Sequence, residues 1–124
     1  MEGASAFVQS VLSGRLGWFL GDLVMQKLSV TDRAAFLREL PHWREVEGKD
    51  AISRRFRFKD FSEAFGFMAR VALLAEKFDH HPEWLNVYGT IDVTLSTHDA
   101  GGVTAKDIEM AKAMEAYAGG QIAK

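Results

Sequence analysis

Two hairpin patterns, each running straight into a helix with its own capping residue, restrict this chain to very few folds. Residues 43–47 and 51–59 flank Gly48-Lys49-Asp50, and residues 85–88 and 91–97 flank Gly89-Thr90. In the second segment Ile52, Phe56 and Phe58 alternate with Ser53, Arg55 and Arg57. In the fourth, Ile91, Val93 and Leu95 alternate with Asp92, Thr94 and Ser96. A period of two sends one set into a core and the other toward solvent or a partner. Asp60 with Glu63 supplies helix-opening chemistry directly after the first hairpin, and Thr104 with Asp107 does so after the second, past a glycine-bearing loop at residues 98–103. A shorter helix over residues 30–40, opened by Ser29 with Asp32 and stopped by Pro41, precedes the first hairpin. The order α-β-β-α-β-β-α predicts an α+β fold: two layers, a four-stranded antiparallel sheet with helices on one face. The repeated hairpin–helix unit suggests structural pseudo-symmetry, although no internal sequence repeat accompanies it.

A chain of 124 residues supports one core. Met25 opens the part that reads as a domain, residues 25–124, and residues 1–24 read as an extension, either dispensable or an upstream start. In it Gly3, Gly14, Gly17 and Gly21 interrupt the apolar residues, so no run approaches the roughly 18 that a membrane span needs. Glu2 is the only charge before Arg15, which is not the basic start of a secretory signal. Lys plus Arg number 15 against 17 Asp plus Glu, a balance that gives no drive for direct nucleic-acid binding. With no cysteine, disulfides, thiol catalysis and cysteine-ligated zinc are excluded, and a cytoplasmic place is expected.

The long helix expected over residues 60–79 carries two neighbouring apolar stripes. One runs Phe61, Phe65, Met68, Ala72 and Ala75, and the other Phe67, Val71, Leu74 and Phe78. Together they cover about half the circumference at ~100° per residue. That is more than one sheet needs, so the surplus predicts either a helix-to-helix contact between subunits or a first helix laid across it.

Three of the four histidines fall in one polar frame: Glu76, His80-His81-Pro82, Tyr88, His98 and Asp107. Pro82 disfavours helical geometry at His81, so the long helix should stop near Asp79 and leave both histidines beside its free carbonyls. A helix C-terminus favours imidazolium, and Glu76, one turn before His80, pulls the same way. The pair reads as poised for proton transfer. His98 falls just after the fourth strand and before a glycine-bearing loop, a place where side chains enter sites built on rigid scaffolds.

Each of these residues also has an ordinary explanation. A histidine in a last helical turn serves as a cap. Asp107 serves the first turn of the last helix, whose buried stripe is Ile108, Ala111, Met114 and Ala118. Tyr88 reads as a strand aromatic, His42 as surface, and Trp84 is open between packing and offering a flat wall to a ring. The basic run Arg54, Arg55, Arg57 and Lys59 reads as a solvated sheet face rather than an anion site. Zinc is the rival for three histidines and a glutamate, but adjacent His80 and His81 diverge and no HExxH-type spacing occurs.

The stretch from Glu76 to Asp107 resembles the pterin-4a-carbinolamine dehydratase family at every position of its motif: an acidic residue, His-His-Pro, an aromatic, a histidine and an aspartate. Phe58-Lys59-Asp60-Phe61, Ala64-Phe65-Gly66-Phe67-Met68 and Leu95-Ser96-Thr97-His98 are also similar to members close to the animal enzyme, and the likeness spans residues 26–118. The resemblance implies removal of water from a 4a-hydroxytetrahydropterin, giving a quinonoid dihydropterin for tetrahydrobiopterin recycling. It implies no cofactor and no metal, the pterin being the substrate. His80 and His98 would exchange protons with it, and His81 would anchor it as a third catalytic-site residue. Glu76 would orient or charge-stabilise a histidine, and Asp107 would hold the far side of a pocket to which Pro82 and Trp84 also belong. The family further implies homodimers or homotetramers paired through the long helix. An alternative role also follows, as dimerisation cofactor of a homeodomain transcription factor, with a nuclear as well as a cytoplasmic place.

Overall fold

Ser29 opens the first helix, α1 (Val30–Arg38), its hydroxyl accepting the Asp32 backbone N–H at 3.1 Å. This computed structural model describes residues 26–119, so the extension read at residues 1–24 lies outside the described residues. After α1 come β1 (Arg44–Glu45), β2 (Ile52–Arg57), α2 (Phe61–Phe78), β3 (Glu83–Val87), β4 (Thr90–Leu95), a single 3-10 turn at His98–Ala100, and α3 (Ala105–Ala118). The strands form one antiparallel sheet in the order β1-β2-β4-β3. This is the α+β, two-layer architecture that the hairpin–helix pattern predicts.

Register puts the alternation to work. Ile52 faces Leu95 across β2 and β4, and Phe56 faces Ile91, so the apolar residues of both strands share the inner face with Val93. The helices supply Phe36, Phe67, Val71, Ile108, Met110 and Met114 to the same buried cluster. Burial of side chains of this size stabilises by about 1.5–3 kcal/mol each, which outweighs anything contributed by the exposed ion pairs on the outer sheet face.

Four local expectations are corrected. β1 and β2 are shorter than expected, and the second hairpin turns at Tyr88-Gly89 rather than Gly89-Thr90. Tyr88 takes a left-handed φ of 51° and is 81% exposed, so it is a turn residue and not a strand aromatic. Gly89 is required beside it, because a Cβ there would meet the Phe58 carbonyl oxygen at 2.7 Å. Arg54 is not solvated. It occupies the inner face, with its guanidinium 4.1 Å from the Phe56 ring centroid and paired with Glu115 of α3, which also accepts from Trp43 Nε1 at 2.8 Å. A charge is tolerated there because α3 brings its partner.

The two stripes of α2 do not divide as read: Met68 and Ala75 of the first pack with the core, and Phe78 of the second is exposed. Phe67 and Val71 are buried and Leu74 partly so, together with Ala64 and Ala75, whereas Phe61, Phe65, Ala72 and Leu73 face outward. The sheet and α3 take one side of α2, and α1 does not cover the other.

On α3, Glu109 Oε2 is buried with no hydrogen-bond partner among the described residues. Burial pushes its carboxyl above the ordinary 4.5, with Lys112 pulling the other way. A raised folded-state value means that ionisation costs stability progressively as pH rises through it and costs nothing well below 4.5. Glu109→Gln is therefore expected to raise the thermal midpoint by about 2–4 °C at pH 8, allowing for residual solvent screening. Melts of both proteins at pH 4 and pH 8 check this: the difference should shrink toward zero in acid.

Candidate active site

Asp60 caps α2 by accepting the Glu63 N–H at 2.9 Å, and the helix ends where Asp79 adopts a left-handed conformation, φ 54°. Aspartate tolerates that geometry better than most side chains. The reversal directs the His80 N–H onto the Ala75 carbonyl at 3.1 Å and buries the imidazole, which is only 8% exposed. Pro82 follows two residues on, as the expected stop near Asp79 requires.

The partner of His80 comes from the other end of the last hairpin–helix unit. Thr104 and Asp107 form a capping box at the start of α3, and Asp107 is fully buried. Its Oδ1 meets His80 Nε2 at 2.6 Å, while Oδ2 accepts from Thr97 Oγ1 at 2.8 Å and from the Thr104 N–H at 2.9 Å. Thr104 Oγ1 receives the Lys106 N–H at 3.2 Å and lies 2.7 Å from Thr97 Oγ1. The directions are mutually fixed: Thr104 donates to Thr97, and Thr97 donates to Asp107. Asp107, surrounded by donors, accepts a hydrogen bond from His80 Nε2–H, which sets the tautomer and leaves Nδ1 available for other chemistry. Asp107 is thus both the helix-opening residue and the holder of a histidine. Glu76 does not reach His80. Its Oε1 meets His81 Nε2 at 3.1 Å, on a pair largely open to solvent.

His80, His81 and His98 line one cleft of about 340 Å³, with Asp79, Ser96, Thr97, Asp99 and Lys106 completing its wall. Three histidines from two separate segments line one cavity. His98 is exposed and is carried on the 3-10 turn, whereas Asp107 stands behind His80 rather than on the wall. Glu76, Pro82, Tyr88 and Trp84 do not line it. Trp84 packs from β3 against the core, facing Val93. Among the described residues, no three His, Asp or Glu side chains are grouped so as to hold a metal ion.

Ser96, Thr97, Asp99 and Lys106 join the site without a chemical signal of their own in the sequence. Adjacency to His98 and to Asp107 was the available signal, but hydroxyl and lysine side chains in such loops are too common to stand out without the fold.

The family model for pterin 4 alpha carbinolamine dehydratase matches residues 26–117. The chain belongs to that family. A relative from Rhodopseudomonas palustris (strain BisB18), provisionally named pterin-4-alpha-carbinolamine dehydratase, is 65% identical over 95 residues, 77% of this chain and 94% of its own. One from Burkholderia orbicola (strain MC0-3), with the same provisional name, is 55% identical over 95 residues, covering 77% and 93%. A crystal structure described as a transcriptional coactivator/pterin dehydratase from Brucella melitensis superposes with a TM-score of 0.74 at 55% identity, covering 75% of this chain and 99% of that one. Membership of the pterin carbinolamine dehydratase family agrees with the motif read from Glu76 to Asp107. Among the described residues, no helix is long and apolar enough to cross a membrane.

Proposed function

We propose that the chain dehydrates a 4a-hydroxytetrahydropterin by imidazole acid–base catalysis, with neither metal nor cofactor. The observation that carries this reading is the shared cleft, in which His80, backed by Asp107, and His98 lie on one wall system. A flat bicyclic pterin would sit among the histidines. One imidazole supplies a proton to the 4a-hydroxyl as the C4a–O bond breaks; the N5 lone pair closes the N5=C4a double bond, and the N5 proton passes to a second imidazole. Water and the quinonoid dihydropterin leave, and proton exchange with solvent restores both rings. His81, steadied by Glu76, anchors the ring, while Lys106 and Asp99 offer polar partners to its edge. The product's place is tetrahydrobiopterin recycling in the cytoplasm. The test is direct: chelator-treated protein should accelerate loss of a freshly generated 4a-hydroxytetrahydropterin above its spontaneous rate. A requirement for added metal would contradict the metal-free part of the proposal.

The outward stripe of α2 supports a second element of the reading. Phe61 is 51%, Phe65 55% and Leu73 75% exposed on one helix face. Apolar surface of this kind is characteristic of contact between subunits, and we assign it to a homodimer or homotetramer. Phe65→Glu is expected to lower the mass seen by sedimentation velocity while leaving far-ultraviolet circular dichroism unchanged; an unchanged mass counts against the assignment. The same face would serve the alternative role, pairing with the dimerisation helix of a transcription factor, which the Brucella protein's description as a coactivator favours. That role would add a nuclear place, and a mixed complex displacing the self-assembly would be its signature.

A further inference from the structure

Asp50, in the turn before β2, lies outside the cleft, yet it is bonded to both ends of the loop that carries His98. Its Oδ1 accepts the Val103 N–H at 3.0 Å, and its backbone carbonyl accepts Ser96 Oγ at 2.8 Å. These contacts fall on the residues at either end of the loop. Between them the loop closes on itself, the Thr97 N–H donating to the Gly102 carbonyl at 2.9 Å. Gly102 has no room for a side chain, since a Cβ would stand 2.5 Å from both Asp50 Cγ and Oδ2. Asp50 is also held by Arg33 of α1, Nη1 to the same Oδ1 at 2.7 Å, and by Lys27 to Oδ2 at 3.4 Å. Arg33 is itself held by Glu45 at 2.9 Å. Partial burial alone would push the Asp50 carboxyl up, but the Val103 hydrogen bond and the Arg33 contacts outweigh it and hold the group below its ordinary value. The carboxylate is thus kept charged and pressed flat against a glycine.

The two histidines are therefore anchored by different means. His80 has its own carboxylate, Asp107. Among the described residues no side chain is hydrogen-bonded to the His98 ring, so its position depends on the loop, which Asp107 meets only at Thr97 and Thr104. We propose that Asp50 is a positioning residue for His98: its carboxylate, packed on Gly102 and bonded to Val103, clamps the loop in the geometry that presents the imidazole to the cleft. The inference rests on the dehydratase reading for its kinetic consequence but not for its structural one.

Two readouts keep those apart. Asp50→Ala is expected to lower kcat roughly ten- to a hundredfold, the scale set by a misplaced catalytic group, with a much smaller change in KM. The His98 imidazole resonances in proton NMR should shift or broaden while those of His80 stay in place. Asp50→Asn, which keeps an acceptor for Val103, should restore both. Gly102→Ala should reproduce the Asp50→Ala losses by driving the carboxylate away, and should add little in an Asp50→Ala background, the coupling expected of one shared device. If Asp50→Ala does not fold, Gly102→Ala alone carries the same two readouts. Unmoved His98 resonances, equal movement of His80 and His98, or additive losses would overturn the clamp. A wild-type protein without dehydratase activity would instead defeat the functional reading, with the resonances still deciding the clamp.

Discussion

His80→Ala and His98→Ala are each expected to lower kcat by roughly 10²–10⁴-fold, the usual contribution of a positioned general acid or base. Both proteins should remain folded. His98 is exposed and carries no core contact, so its removal leaves the packing intact. His80 is buried against Asp107, and its loss strands one acceptor, at a cost of about 1–3 kcal/mol. Steady-state rates above the spontaneous reaction, paired with thermal melts, separate the effects: large loss of rate with small loss of stability at His98, and loss of both at His80. His81→Ala, on a solvent-exposed pair, should raise KM more than it lowers kcat. Near-normal turnover in both the His80 and His98 variants contradicts the acid–base assignment.

The second large effect falls on Asp107. Asp107→Ala orphans three buried donors, His80 Nε2, Thr97 Oγ1 and the Thr104 N–H, and removes one half of the capping box of α3. At about 1–3 kcal/mol for each buried unsatisfied group, the loss is of the order of a small domain's whole stability. Asp107→Asn is the more informative change. Its amide oxygen can still receive Thr97 and Thr104, which leaves the NH₂ facing His80 Nε2 and forces the imidazole proton onto Nδ1. The fold should survive while kcat falls by roughly the 10²–10⁴-fold expected of a general acid–base group in the wrong tautomer. Nitrogen-15 NMR of the His80 ring reads the tautomer directly. A variant that retains both the wild-type tautomer and the wild-type rate would show that Asp107 is a cap and nothing more.

Much of this was legible from residue order. Alternation in β2 and β4 set the buried face, and the Ser29, Asp60 and Thr104 caps set the helix starts, because both signals act within a few residues. The stop at Asp79 followed from Pro82 for the same reason. Long-range pairings were not legible. Nothing near Arg54 announces Glu115, and nothing near Asp50 announces Val103, since these partners meet only when α3 and the His98 loop dock on the sheet. Spacing placed Glu76 beside His80, but the left-handed turn at Asp79 breaks helical periodicity and hands Glu76 to His81 instead. Asp107 serves two ends at once. Capping chemistry explained it fully, and only the buried approach of His80 shows that the same carboxylate serves both ends.

The most direct measurement follows the ring resonances of His80, His81 and His98 while an unreactive dihydropterin is titrated into the protein. The expected result is that all three respond together, with one dissociation constant, and that chelator changes nothing. Binding that leaves those rings unperturbed, or that moves only residues of the outer sheet face, would contradict the convergence of the histidines on a single pterin.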